Sequence, residues 1–390
     1  MIQLRSNTLI LGTILILSGL LTPGTGIAEG DSKWVGDELV WEGIDAFYNY
    51  EFDRAVTVLT TGRKEFPAHP TVHLTWAVSL WLKAQMYDGI EESQEVLMRS
   101  LDEVIPVYEN LLRRSPGDPH YRLYLFSARG LRTRVHLGRK EWFSVIIQGI
   151  KGYRGVASVH RENPELWDAY FPIGMLNYYA GISSPIVRFL AGLMGVNSGK
   201  EEGFEQIRTA AAKGKYSWIE ANLTLIFIHL WVDDDYESAL PLAEKMRVVS
   251  PQSIYNQHLY SESLMRVGKL EEAGRNLNFT FRLAEDLPDV GKRGWLPTLK
   301  YQRALLEFYR ERYDSSMAWV TASIEEFQTE LDTPLGFGYV LRGNIHDLKG
   351  ERKRAVEDYR SALALGNYTS AMKHARTYLE TPFQLPPSGR

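Results

Sequence analysis

Gly195-Val196-Asn197-Ser198-Gly199-Lys200 comes nearest, in this 390-residue chain, to a phosphate-binding loop. Such a loop cradles phosphate with backbone N–H groups. It needs four residues between its glycines and a Ser or Thr after the lysine for magnesium. Here three residues separate the glycines, and Glu201 follows the lysine. The stretch therefore reads as a tight turn between two helices, left with only the anion affinity of a helix N-terminus. His69 and His73 stand four apart, a metal-ligand interval on a helix. Pro70 lies between them, so His69 precedes the helix, and no neighbouring carboxylate completes a ligand set. Asp233-Asp234-Asp235 reads as a solvated turn whose charge favours the start of the next helix. The chain has no cysteine, which removes thiolate metal sites and cysteine nucleophiles. No Ser-His-Asp order with a nucleophile turn is present. The sequence thus assigns no catalytic residue, no metal and no cofactor, and the chain reads as a non-enzyme.

Charge offers surfaces instead. With 44 basic and 48 acidic residues the net charge is −4, which gives no nucleic-acid signal. From Arg113 to Arg161, however, there are eleven Lys or Arg residues and two acids. Arg129, Arg132, His136 and Arg139 follow helical spacing and form a candidate basic stripe. It has two readings. One is contact with an anionic surface at a membrane periphery. The other is compensation by the preceding acidic stretch, which includes Asp102, Glu103 and Glu109 and falls one helix pair earlier.

The elements that position these residues repeat. Apolar residues recur at three and four throughout, and no segment alternates with period two, so the fold class is all-α. Ala239 and Ala273 are 34 residues apart, each at the start of the second helix of a pair. That interval and the order Tyr260, Leu264, Gly268, Ala273, Leu277 resemble the tetratricopeptide repeat. Gly43, Ala55 and Pro67 fall at intervals of twelve in an N-terminal unit of the same kind. The cleanest is the last, with Tyr339, Gly343, His346, Gly350, Ala355, Tyr359 and Ala362. The resemblance implies a helix–turn–helix repeat solenoid with small residues where helices cross closely, and a concave face lined by the first helix of each pair. Tyr255, His258, Glu262 and Arg266 are expected there in one unit, Tyr301, Leu305 and Tyr309 in the next, and Phe337 and Asn344 in the last. Aromatic and mixed-charge residues suit a protein or peptide partner.

Residues 171–203 break the pattern. The run Gly174-Met175-Leu176-Asn177-Tyr178-Tyr179, then Ser184-Pro185, Phe189-Leu190, Gly195-Val196 and Glu202-Gly203-Phe204-Glu205-Gln206-Ile207, resembles the central signature of the Iml2/TTC39 tetratricopeptide family. That likeness implies a shared helical fold and supplies no catalytic residues. Within it, 185–196 is an apolar, glycine-bounded hairpin, read as a core plug with a membrane- or partner-docking patch as the alternative. Residues 1–28 have a secretory layout: Arg5, an apolar run from Leu9 to Leu21, and small residues up to Ala28. The 13-residue run is shorter than the roughly 20 a span needs, so cleavage near Ala28 and a Gram-negative periplasm are expected. The expected organisation is 1–28 signal, 29–165 N-terminal repeats, 166–215 glycine-rich insert, 216–380 C-terminal repeats with a capping helix, and 381–390 a loose tail.

Overall fold

In a computed structural model of the chain, residues 34–385 are described, except 139–141, 184–187, 190–191, 193–195, 197–198 and 329–331. The expected signal segment, Arg139 and most of the 185–196 hairpin lie outside the described residues. Among those described, every regular element is helical. They form two compact units. Among the described residues, the N-terminal unit takes those from Trp34 to Leu225 and Lys245–Ser253, and the C-terminal unit takes Ile226–Glu244 and those from Ile254 to Leu385.

The N-terminal unit holds α1 (Asp37–Tyr48), α2 (Phe52–Glu65), α3 (Val72–Tyr87), α4 (Ile90–Arg114), α5 (Pro119–Gly138), α6 (Trp142–Glu162), α7 (Tyr170–Ile182), α8 (Lys200–Lys213) and the start of α9 (Trp218–Trp231). The C-terminal unit holds most of α10 (Tyr236–Val249), then α11 (Ile254–Arg266), α12 (Leu270–Glu285), α13 (Asp289–Tyr309), α14 (Tyr313–Glu325), α15 (Thr333–Leu348), α16 (Arg352–Leu365) and α17 (Ser370–Glu380). Consecutive helices pack in pairs: α1 with α2, α3 with α4, α5 with α6, α7 with α8, α11 with α12, α13 with α14 and α15 with α16. First helices also pack on first helices, in the series α11, α13, α15, α17.

The small residues sit where the repeat needs them. Ala55, Ala239, Ala273, Ser316 and Ala355 are all fully buried. A Cβ on Gly43 would come within 2.5 Å of Leu59, and one on Gly343 within 2.5 Å of Tyr359. These are crossings that a larger side chain would wedge apart. Gly268 and Gly350 turn the chain between paired helices at φ of +80° and +75°, where a Cβ is strained. The fold is therefore an all-α stack of helix–turn–helix repeats of tetratricopeptide type.

The glycine-rich break at 171–203 proves to contain the tightest pair. Helices α7 and α8 cross at Gly174 and Gly203 with nothing between the backbones. A Cβ on Gly203 would lie 2.3 Å from the Tyr178 amide nitrogen and 2.7 Å from the Gly174 carbonyl oxygen. No flexible side chain can yield there, so Gly203→Ala should cost about 2–3 kcal/mol, read as a lower urea midpoint at unchanged slope. An unmoved midpoint would show that the backbones separate freely. Of the hairpin that follows, Phe189 is 66% exposed, while Val196 is buried against Tyr153 and Ala180.

Both units are tied across long sequence distances. In the N-terminal unit Asp37, at the start of α1, meets Lys215 and Tyr216, and Tyr48 meets Glu220. In the C-terminal unit His374 of α17 bonds Asp234 at 3.1 Å, and Asp234 also accepts from the Tyr236 hydroxyl at 3.0 Å. Asp234 is thus not a freely solvated turn residue: burial pushes its carboxyl up, but the bonds from His374, Ser370 and Tyr236 outweigh this and hold it well below the usual range. One residue of the expected loose tail is held: the chain leaves α17 in extended backbone at Thr381, the Phe383 ring packs on Phe308 of α13, and the Phe383 N–H donates to Asp347 of α15 at 2.8 Å, while Thr381, Pro382, Gln384 and Leu385 are exposed.

Candidate functional site

Of the expected concave-face residues, His258, Glu262, Tyr301, Leu305 and Phe337 are buried rather than lining an open groove; they lie along the side of the C-terminal unit, its inner face, where α11, α13, α15 and α17 pack in series. Four positions along α11 put His258, Glu262 and Arg266 on one stripe. Glu262 is fully buried. Its Oε1 accepts from Trp231 Nε1 at 3.0 Å, Arg266 Nη2 at 3.0 Å and the Tyr301 hydroxyl at 3.3 Å. Its Oε2 accepts from Gln302 Nε2 at 3.3 Å, and Gln302 donates to the His258 carbonyl at 2.8 Å. Arg266 also donates to the Tyr301 hydroxyl at 3.0 Å, and its guanidinium lies 5.3 Å from the ring centres of both Tyr236 and Phe337. Burial pushes the Glu262 carboxyl up. The charge of Arg266, with His258 and the hydrogen bonds, overcomes this and holds the group below the ordinary carboxylate range. An ionised, paired carboxylate therefore sits inside the unit.

Not every predicted residue joins this network. Tyr255 is half-buried at the amino-terminal rim, 6.2 Å from His258 and 6.3 Å from Trp295 between ring centres. His258 stacks on Trp231 at 5.4 Å. Tyr309 is 37% exposed at the opposite rim. Asn344 turns away to α16, where its Oδ1 accepts from the Tyr359 hydroxyl at 3.0 Å. Sequence reasoning missed Trp231, Tyr236, Trp295 and Gln302. Gln302 carried a signal: like Glu262, it is a polar residue on the apolar side of its helix.

No family model matches this chain, and no curated protein does. Among solved structures it is similar to a tetratricopeptide repeat protein from Parabacteroides merdae, at 16% identity over 88% of this chain and 97% of that one, with a TM-score of 0.31. It is similar also to yeast Tom70, at 11% identity over 96% of this chain and 69% of that one, with a TM-score of 0.35.

In the N-terminal unit, Asp37 is buried and accepts from Trp34 N at 2.8 Å, Lys215 Nζ at 3.0 Å and the Tyr216 hydroxyl, with His69 Nε2 2.9 Å away. Burial pushes its carboxyl up, but the bonds from His69, Tyr216 and Lys215 outweigh that and hold it at about 2. The second histidine is equally engaged. His73 faces Arg63 Nε at 3.1 Å and the Pro67 carbonyl at 2.9 Å, and burial lowers its imidazole to about 4. Both histidines therefore serve packing. Arg129 pairs with Glu109 at 2.9 Å and Arg132 with Asp102, so these two cations meet acids of the preceding helix. A shallow depression on α14–α16 holds Arg342, His346, Lys349 and Arg354, but each of these meets Asp358, Glu351, Asp314 or Glu351 in turn. With every cation matched, the depression is not built for an anion.

Proposed function

We propose that this chain is an exported, non-catalytic scaffold that binds a protein or peptide partner on the inner face of its C-terminal unit. One observation carries the reading. Tyr255 and Trp295 stand half-buried at the amino-terminal rim, backed by the buried stack of Trp231 on His258 and the Glu262–Arg266 pair. A rim of rings on a fixed base buries area at low entropic cost, the usual anchor of a binding surface. Export rests on the layout of residues 1–28, and kinship with the Iml2/TTC39 family on the motif order of residues 174–207. Among the described residues, no helix is long and apolar enough to cross a membrane. The paired Arg129 and Arg132 give no reason to prefer the membrane-surface reading.

The test is affinity purification of the mature chain from its own cell envelope, with crosslinks mapped to residues. Crosslinks should fall on α11 and α13. Replacing Tyr255 and Trp295 together by Ala should cut partner recovery at least about tenfold. Unchanged recovery by that variant, with its helicity intact, overturns the assignment of the rim.

A further inference from the structure

We infer that Thr381–Leu385 is an intramolecular ligand for the carboxyl-terminal rim of the same inner face, and that a partner enters there as an extended peptide bearing one aromatic side chain. The inference rests on the reading of that face as a protein-binding surface. It concerns the opposite rim from Tyr255 and Trp295, formed by the ends of α13, α15 and α17.

The rim recognises two things in residue 383. The ring packs edge-on against Tyr378 at 5.2 Å and tilted against Phe308 at 6.0 Å. The backbone N–H donates to Asp347 Oδ2 at 2.8 Å. The Asp347 side chain is only 1% exposed, and it is held by Arg352 Nη1 at 2.9 Å and the Tyr359 hydroxyl at 2.9 Å. Arg352 donates as well to the carbonyls of Tyr378 and Leu379, both at 2.8 Å, so one guanidinium fixes both the exit of α17 and the carboxylate that catches the segment.

The chemistry of the occupant follows. A backbone N–H is available to Asp347 only outside the interior of a helix or sheet, where that donor is already committed. The segment is extended at Thr381, and residues 382–385 belong to no helix. An aromatic residue beside such an amide satisfies both contacts. One ring and one hydrogen bond make a weak tie in trans. In cis, tethered directly to α17, they act at an effective concentration on the order of millimolar. The segment is therefore strong enough to cover the rim, and a peptide with further contacts along the inner face can displace it.

The probe is a fluorescein-labelled, end-blocked peptide of the sequence Thr-Pro-Phe-Gln-Leu, titrated against the full chain and its Phe383→Ala variant. The variant should bind at least tenfold tighter than the unaltered chain, and a probe with Ala in place of Phe should bind neither. Equal binding to both chains, or none to a variant of intact helicity and melting temperature, overturns the inference. A second measurement needs no variant: excess peptide should speed amide hydrogen exchange at Phe383 in the unaltered chain, and unchanged exchange there also overturns it. A partner whose capture depends on Tyr255 and Trp295 but is not raised by Phe383→Ala sinks this inference alone and leaves the assignment of the first rim standing.

Discussion

Arg266→Met is expected to destabilise the chain by about 3–5 kcal/mol. The substitution keeps most of the side chain's volume and removes its charge. What remains is the Glu262 carboxylate, fully buried, with Trp231, Tyr301 and Gln302 as neutral donors and no cation. Taking a charge out of water costs several kcal/mol, and neutral donors repay only part of it. The loss should therefore be conditional on the carboxylate. Adding Glu262→Leu to Arg266→Met should recover part of it, because no buried charge is then left unpaired, although the Trp231 and Tyr301 donors lose their acceptor. Urea denaturation of the two single variants and the double variant closes the cycle. A cost under about 1 kcal/mol for Arg266→Met would mean that water reaches Glu262 and that the inner face is more open than its side chains indicate.

Glu220→Gln is expected to stabilise the chain, increasingly as pH rises from 4.5 to about 8. Glu220 is buried in the N-terminal unit against the Tyr48 hydroxyl, which donates to its Oε1. Burial raises its carboxyl from 4.5 to about 8. The folded chain therefore keeps a proton that the unfolded chain releases. The sign follows from linkage: stability is fully present below pH 4.5 and is lost as pH rises, until the folded group also ionises near pH 8. At about 1.4 kcal/mol per pH unit, the window bounds the loss at roughly 5 kcal/mol. Glutamine keeps the acceptor for Tyr48 and has no proton to lose. The variant and the unaltered chain should thus have similar stability at pH 4.5 and diverge by several kcal/mol at pH 8.5. Parallel stability profiles across that range would refute the buried, protonated state.

Much of this was legible in the residues, and the line between what was and what was not is physical. Helix pairing leaves a local record, since spacings of three and four mark the buried stripe and Ala55, Ala273 and Ala355 mark the crossings. Compensation of Arg129 and Arg132 by the acidic stretch before them was also readable, although Glu109 and Asp102 reach them from the adjacent helix and not from a whole repeat away. Counting along first helices placed His258, Glu262, Arg266 and Tyr301 on one side of the repeats, as residues of an open groove. Which of them are consumed by one another did not, because that depends on Trp231 and Gln302 arriving from other helices. Asp234 looked like one acid among three because its partner His374 is 140 residues away. Proline content made the C-terminal segment look loose. A single N–H reaching a buried carboxylate has no compositional signature. Gly174 and Gly203 stood out as glycines, but only the crossing shows that each is there for the other.

The joining of α1 to residues 215–220, and of α17 to Asp234, has a bearing on how such a molecule forms and changes. An open array of repeats assembles from any neighbouring pair and tolerates gaining or losing a repeat at its end, because each repeat answers only to the next. Here the terminal helices of each unit answer to partners 140 to 179 positions away. Those contacts carry a large loop-closure cost before they return anything, so folding is slowed toward the pace of non-local topologies. Each unit thereby has a fixed number of helices. Deleting an end helix strips the far end of its partner, and inserting a repeat moves the two ends out of register.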